Sequence, residues 1–219
     1  MASILDKDYT FNNYTVNKTN STALQYSMVV SNTPGSYSPL YIYGEEGTGK
    51  SHLLQAIGNS TNAKVAYYSM LNSKEDIESI KDIDNDIEVL LLDDFEYLIR
   101  YIPKDILLKI IEDYSKNNKQ LVISSIYTPD ELKIDSSIIK SGTIIQILKP
   151  DRQIKIDALK HRIQELKISK NFTQEAIDII IDKYLNNLSD IDNILYRIQT
   201  CIELFDPYEV DKEFVDKCL

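Results

Sequence analysis

Eight consecutive residues constrain this chain more than any others: Gly44, Glu45, Glu46, Gly47, Thr48, Gly49, Lys50 and Ser51. They match the pattern G-x-x-x-x-G-K-[ST] at every fixed position. Such a turn wraps backbone N–H groups around an anion only when a strand enters it and a helix leaves it. Both are expected here. Residues 39–43 are a short apolar run of strand composition, and residues 49–59 read as helical. A phosphate seated in the loop would meet the positive end of that helix dipole. Lys50 would then reach the β- and γ-phosphates, and the Ser51 hydroxyl would ligate Mg2+. The expected cofactors are therefore ATP or ADP with Mg2+, held by residues 44–51.

A second signal lies further along the chain. Val89, Leu90, Leu91 and Leu92 form an apolar run that ends in Asp93 and Asp94. A strand ending in two carboxylates presents them at the carboxyl edge of a sheet, where a phosphate loop also lies. Asp93 is expected to hold Mg2+, directly or through water. Asp94 is expected to polarise an attacking water. The next strand, residues 120–124, runs into a hydroxyl at Ser125, which is the candidate sensor of a γ-phosphate.

Around these motifs strands alternate with helices from residue 39 to residue 148. That is the rhythm of a parallel sheet covered on both faces. Strands are expected over 39–43, 64–68, 87–92, 120–124 and 143–148, and helices over 17–30, 49–59, 73–81 and 104–116. Tyr9, Phe11 and Tyr14 are placed to pin an extended N-terminal tail onto a core. After Pro150 the pattern becomes wholly helical. Asp151, Thr173 and Ser189 each stand where a side chain caps a following apolar-periodic helix. The expected division is residues 1–150 as an αβα nucleotide-binding domain and residues 151–219 as a helical domain.

Composition narrows the function classes. With 24 Lys and Arg against 34 Asp and Glu, the net charge is −10. A broad phosphate-backbone surface needs a basic face, so direct DNA binding is disfavoured. Cys201 and Cys218 share no metal-ligand spacing with His52 and His161, which speaks against a zinc site or a disulfide framework. No apolar run approaches the ~20 residues of a membrane span, and the N-terminus lacks a basic and then apolar signal pattern. The expectation is a cytoplasmic protein with no membrane partner. The acidic stretch from Glu75 to Glu88 reads as a solvated face.

Taken with FNNYTVNKTNSTAL near the N-terminus, PLYIYGEEGTGKSHLLQAIGN, VLLLDDFEYL and KQLVISS resemble the AAA+ module of the bacterial replication initiator DnaA family. In length and layout the likeness is nearest to the Hda-like regulators. It covers residues 9–148 well and residues 151–219 more loosely. It implies an α/β P-loop AAA+ sandwich: a five-stranded parallel sheet with a small all-helical lid. An extra strand between the two motif strands is typical of that ATPase branch.

The family pattern is incomplete here. Only residues 68–87 fill the gap between the second and third strands, where the DnaA module has a longer segment. The family's lid arginine is expected near Asn187, and Ser189 stands at its place. The stretch that would carry an arginine finger, residues 135–142, has Lys140 as its cation. DnaA proteins continue past the lid into a basic helix-turn-helix domain, and the likeness is expected to end at Leu219. An Hda-like clamp-binding motif is not evident in residues 1–15. The resemblance then implies a protein that binds ATP or ADP and regulates or assists replication initiation through nucleotide-dependent contacts. Its intrinsic ATPase would be weak, because a finger contributes ~10³-fold or more. The implied partner is a replication protein, either a DnaA-like initiator or a replicative helicase, with a homo-oligomer left open. A helicase-loader ATPase and a DNA-binding initiator are the alternatives.

Overall fold

The computed structural model describes residues 4–132 and 137–219. The chain forms two compact units, Met1–Lys149 and Pro150–Leu219. In the first, the elements follow as α1 (Ser21–Asn32), β1 (Leu40–Tyr43), α2 (Lys50–Ser60), β2 (Val65–Tyr68), α3 (Lys74–Glu78), β3 (Val89–Leu92), α4 (Phe95–Leu98), α5 (Lys104–Lys116), β4 (Gln120–Ser125), α6 (Ser137–Lys140) and β5 (Thr143–Gln146). The five strands make one sheet in the order β2-β3-β4-β1-β5, and every pairing is parallel. The extra strand expected between the two motif strands is β4.

The central strands are apolar on both faces because both faces are covered. Alternate residues feed two separate cores. Leu40, Ile42, Val89, Leu91 and Val122 face one core with Leu53, Leu54 and Ile57 of α2. Tyr41, Leu90, Leu92, Leu121 and Ile123 face the other with Phe95 of α4 and Leu107 and Ile111 of α5. This period-2 division holds the sheet in register, since a slip of one residue would exchange the two sets.

Several element ends differ from the sequence expectation, each for a local reason. The first helix begins at Ser21, not 17. The Asn20 carboxamide is buried and binds the Asn17 N–H at 2.8 Å and the Thr15 carbonyl at 2.9 Å, so it holds a turn that precedes the helix. The acidic helix expected over 73–81 is capped by Ser73, whose hydroxyl accepts from the Asp76 N–H at 3.1 Å. It then tightens into a 3₁₀ turn over Ser79–Asp82. The short helices α4 and α6 have too few residues to show a helical period in sequence.

The second unit contains α7 (Arg152–Glu165), α8 (Gln174–Ile179), α9 (Ile191–Phe205) and α10 (Lys212–Cys218). Asp151 caps α7 by accepting from the Ile154 N–H at 2.9 Å, and Thr173 caps α8 by accepting from the Ala176 N–H at 3.1 Å. The cap expected at Ser189 is displaced, because Ser189 lies inside a 3₁₀ turn, Leu188–Asp190, that leads into α9. Asp190 closes that turn on the Asn187 N–H at 2.9 Å. Leu159, Ile180, Leu195, Ile198 and Val215 form the unit's core. Cys201 and Cys218 are both free thiols. Among the described residues, no helix is long and apolar enough to cross a membrane.

Candidate functional site

The loop leaves β1 at Tyr43 and enters α2 at Lys50, so its backbone is held at both ends. Two glycines are demanded by the surroundings. A Cβ on Gly44 would collide with the Ile147 carbonyl oxygen. Gly49 sits at φ +91°, and a Cβ there would meet the Tyr14 ring. Thr48 donates its hydroxyl to the Glu45 carbonyl at 2.9 Å and fixes the inner curve of the turn. Lys50 is buried, and its ammonium donates to the Gly44 carbonyl at 2.7 Å and the Glu45 carbonyl at 2.8 Å. Burial lowers the Lys50 pKa, while Asp93, Glu96, Asp94 and Glu46 oppose that shift. Glu45 forms an ion pair with Lys149 at 2.5 Å. The two glutamates of the loop are acidic where a phosphate is expected, and Lys149 neutralises one of them.

The N-terminal segment packs onto α2. Tyr9 and Tyr14 stand edge-on to His52, with ring centroids 5.0 Å and 5.1 Å away. His52 donates from Nε2 to the Thr10 carbonyl at 2.8 Å. Its pKa is lowered, mainly by burial. Asn59 binds the carbonyls of Asp6 and Tyr9, both at 2.8 Å. This is the pinned tail expected from the aromatic residues, but it is built of turns.

Asp93 ends β3 and is fully enclosed, with 1% of its surface exposed. Its Oδ2 accepts from the Tyr67 hydroxyl at 2.8 Å, and its Oδ1 accepts from the Ser124 hydroxyl. Burial and the Asp93 charge push the Tyr67 hydroxyl pKa well up, so Tyr67 stays a donor. Asp94 follows at φ +51° and accepts from the Met70 N–H at 3.4 Å. Burial and the neighbouring Asp93 charge push the Asp94 carboxyl up to about 6. Ser125, the candidate γ-phosphate sensor at the tip of β4, is enclosed. It donates to Glu96 Oε2 at 2.7 Å and accepts from the Tyr127 N–H at 3.1 Å.

The fold therefore gathers residues 44–51, Asp93, Asp94 and Ser125 at the carboxyl edge of strands β1, β3 and β4. Three participants were missed in sequence: Tyr67 and Ser124, which hold Asp93, and Glu96. Only Glu96 left a signal, as a third acidic residue two positions beyond Asp94. The donor set suits Mg2+ carried by a nucleotide. Ser51 offers a hydroxyl and Asp93 a carboxylate already fixed by two hydroxyl donors. Among the described residues, no group of three acidic, His or Cys side chains forms a metal cage, so phosphates would have to supply ligands.

Several other cations are engaged elsewhere. Lys140 pairs with Asp130, and residues 135 and 136 of the expected finger stretch lie outside the described residues. In the second unit Arg152 is paired with Asp178 and Asp182, and Arg162 with Asp192 and Glu165. Arg197 donates to the carbonyls of Cys218 and Leu219 at 3.2 Å and 2.7 Å.

A family model described as the bacterial DnaA ATPase domain matches residues 5–143. The chromosomal replication initiator protein DnaA of Streptococcus uberis is 30% identical over 242 aligned residues, which cover 99% of this chain and 52% of that protein. The chain thus spans about half the length of the curated relatives it matches. Domain III of the replication initiation protein DnaA of Thermotoga maritima superposes with a TM-score of 0.77 at 24% identity, covering 99% of this chain and 98% of that one. A replication initiator DnaA bound to AMPPCP and single-stranded DNA superposes at 0.75 with 24% identity, covering 93% and 67%. These two likenesses carry the fold, a P-loop AAA+ αβα sandwich. On the family match, over more than half of its length and across the whole phosphate loop and aspartate pair, the chain belongs to the bacterial DnaA ATPase-domain family.

Proposed function

We propose that this protein binds ATP or ADP with Mg2+ and uses the bound nucleotide to control contacts with a replication protein, with weak hydrolysis of its own. The observation that carries this reading is the Lys50 ammonium, buried in the loop and held by two loop carbonyls opposite the enclosed Asp93. A buried ammonium whose described hydrogen bonds all go to carbonyls is better partnered by a triphosphate. In the bound state Lys50 and the loop amides would hold the β- and γ-phosphates, with Ser51 and Asp93 toward Mg2+. When bound, Mg2+ neutralises phosphate charge.

The engagement of several cations supports weak turnover. Each arginine of the second unit is occupied by carboxylates or carbonyls, and Lys140 is paired. Lys lacks the planar fork that suits a transferring phosphoryl group. The partner proposed is a DnaA-like initiator, in the manner of Hda-like regulators, or a replicative helicase.

A second reading, direct contact with single-stranded DNA, is favoured by one observation. A protein of this fold, the replication initiator DnaA, is bound to AMPPCP and single-stranded DNA. Net charge therefore does not decide the matter, since a local patch suffices for a strand.

The test is a titration with fluorescent ATP and ADP in Mg2+. Micromolar or tighter binding, lost in Lys50→Ala, supports the nucleotide site. Binding that survives Lys50→Ala refutes it. Binding to single-stranded DNA that weakens as salt rises would establish the second reading.

A further inference from the structure

The sheet has a second edge, opposite the phosphate loop, where its strands begin. Three helices end there: α1 at Asn32, α2 at Ser60 and α5 at Lys116. An open cleft of about 560 Å³ lies among these ends, with Glu88, the residue before β3, on its wall. Small-ligand sites span roughly 300–1,000 Å³. The chemistry of the cleft is one-sided. A helix end presents carbonyls without intrahelical partners and the negative pole of the macrodipole. One amide closes each helix here: Thr33 on the Val29 carbonyl at 2.9 Å, Thr61 on Ile57 at 3.1 Å and Asn117 on Asp113 at 3.0 Å. Pro34, next after Thr33, has no N–H to offer the end of α1. Neither α1 nor α2 has a basic residue in its last turn, and Lys116 of α5 is paired with Glu112. The carboxamides of the wall add acceptors. Asn32 spends its Nδ2 on the Met28 carbonyl at 2.8 Å, and Asn117 spends its own on the Asp113 carboxylate at 2.6 Å, so each presents Oδ1. The Glu88 carboxylate accepts from the Lys64 N–H at 3.5 Å, while the Lys64 ammonium is paired with Asp86 at 2.7 Å. The one cation among the described lining residues, Lys119, donates to the Asn85 carbonyl at 2.8 Å and lies 5.2 Å from the centre of the Tyr114 ring.

We infer that this cleft binds a linear polyamine, whose ammonium groups donate to the helix-end carbonyls, to Oδ1 of Asn32 and Asn117, and to the Glu88 carboxylate. A single metal ion is a poor match. Among the described residues no three His, Cys, Asp or Glu side chains come together, and the cleft is many times the size of one ion. A protonated polyamine carries only N–H donors, spread along a flexible chain, which suits acceptors that stand apart on three helix ends. The net charge of −10 raises the local concentration of any polycation and favours its encounter with this face. The cleft lies at the opposite edge of the sheet from residues 44–51, so the inference stands apart from the nucleotide reading and goes beyond it.

The probe is spermidine, titrated at constant ionic strength into the isotope-labelled chain without nucleotide and followed by amide NMR shifts. NaCl and MgCl2 at matched ionic strength are the controls. Saturable shifts are expected over residues 31–34, 60–64, 88 and 117–119, and not over residues 44–51. Glu88→Gln should weaken the affinity about three- to fivefold. Asn32→Leu keeps the size of the side chain, removes its acceptor and should weaken the affinity about two- to threefold. Both residues are exposed, so both variants are expected to fold, and melting curves check this. Glu75→Gln removes the same charge from an exposed position of α3 outside the cleft and should leave the affinity unchanged. Absent shifts, or the same shifts with MgCl2, overturn the inference. Equal losses in Glu75→Gln and Glu88→Gln also overturn it, since the polyamine would then answer to net charge alone. So does an affinity that neither Glu88→Gln nor Asn32→Leu changes. A chain that fails to bind nucleotide but passes these tests loses the nucleotide reading and keeps this one.

Discussion

Replacing Asp94 with Asn tests the electrostatics of the site without any ligand. Burial and Asp93 raise the Asp94 carboxyl from its ordinary 3.8 to about 6. The folded protein therefore holds this proton more tightly than the unfolded chain does. A raised carboxyl contributes stability that is fully present below the unfolded value and is lost as pH rises through the folded value. Above about pH 6 the ionised Asp94 is thus a burden. At about 1.4 kcal/mol per pH unit, the rise corresponds to an upper figure of about 3 kcal/mol. Asp94 is only half-buried, and screening by water reduces this to about 1–2 kcal/mol. Asn keeps the shape, accepts the Met70 N–H and tolerates the φ of +51° at this position. Asp94→Asn should therefore be more stable than the parent by about 1–2 kcal/mol at pH 8, in chelator and without nucleotide. The gain should shrink to about one third of that at pH 4.5. Urea unfolding at a series of pH values measures it. A variant no more stable than the parent at pH 8, or a gain that is the same at pH 4.5, would refute the reasoning.

Four further outcomes are expected. Gly49→Ala should lose nucleotide binding and destabilise the fold by about 1–3 kcal/mol, because a Cβ at φ +91° is strained and meets Tyr14; isothermal titration and melting measure the two effects. Leu91→Ala, at a fully buried position of β3, should cost about 2–5 kcal/mol in urea unfolding. Asp151→Ala removes the cap of α7 and should destabilise the second unit by about 1 kcal/mol, seen as faster amide exchange over Arg152–Glu165. Lys149→Gln leaves Glu45 unneutralised at the loop and should weaken ATP binding several-fold, with Glu45→Gln/Lys149→Gln recovering most of it; equal affinity in all three proteins would show that the pair is inert.

Local pattern alone placed much of this protein. The residues 44–51 turn, the apolar run ending in Asp93 and Asp94, and the caps at Asp151 and Thr173 are short-range signals, and the chain folds as they imply. Strand alternation with helices implied a parallel sheet, since both faces of its strands are apolar and must be covered. What sequence did not resolve lies where distant segments meet. Nothing near Ser125 in the chain says that Glu96, 29 positions away, closes its hydroxyl, because that contact exists only when β4 lies beside β3. The cap assigned to Ser189 failed for a similar reason at short range: an additional 3₁₀ turn shifted the start of α9 to Ile191.

The family and the place of the phosphate-loop turn were thus legible in the sequence itself, through glycines within one short turn and carboxylates at the end of one apolar run. Tertiary structure decided where each of the nearby carboxylates is held. Asp94 and Glu96 are near neighbours in the chain, yet one binds at the exit of β2 and the other at the exit of β4. Strand order, which no local pattern encodes, gives two similar side chains different partners.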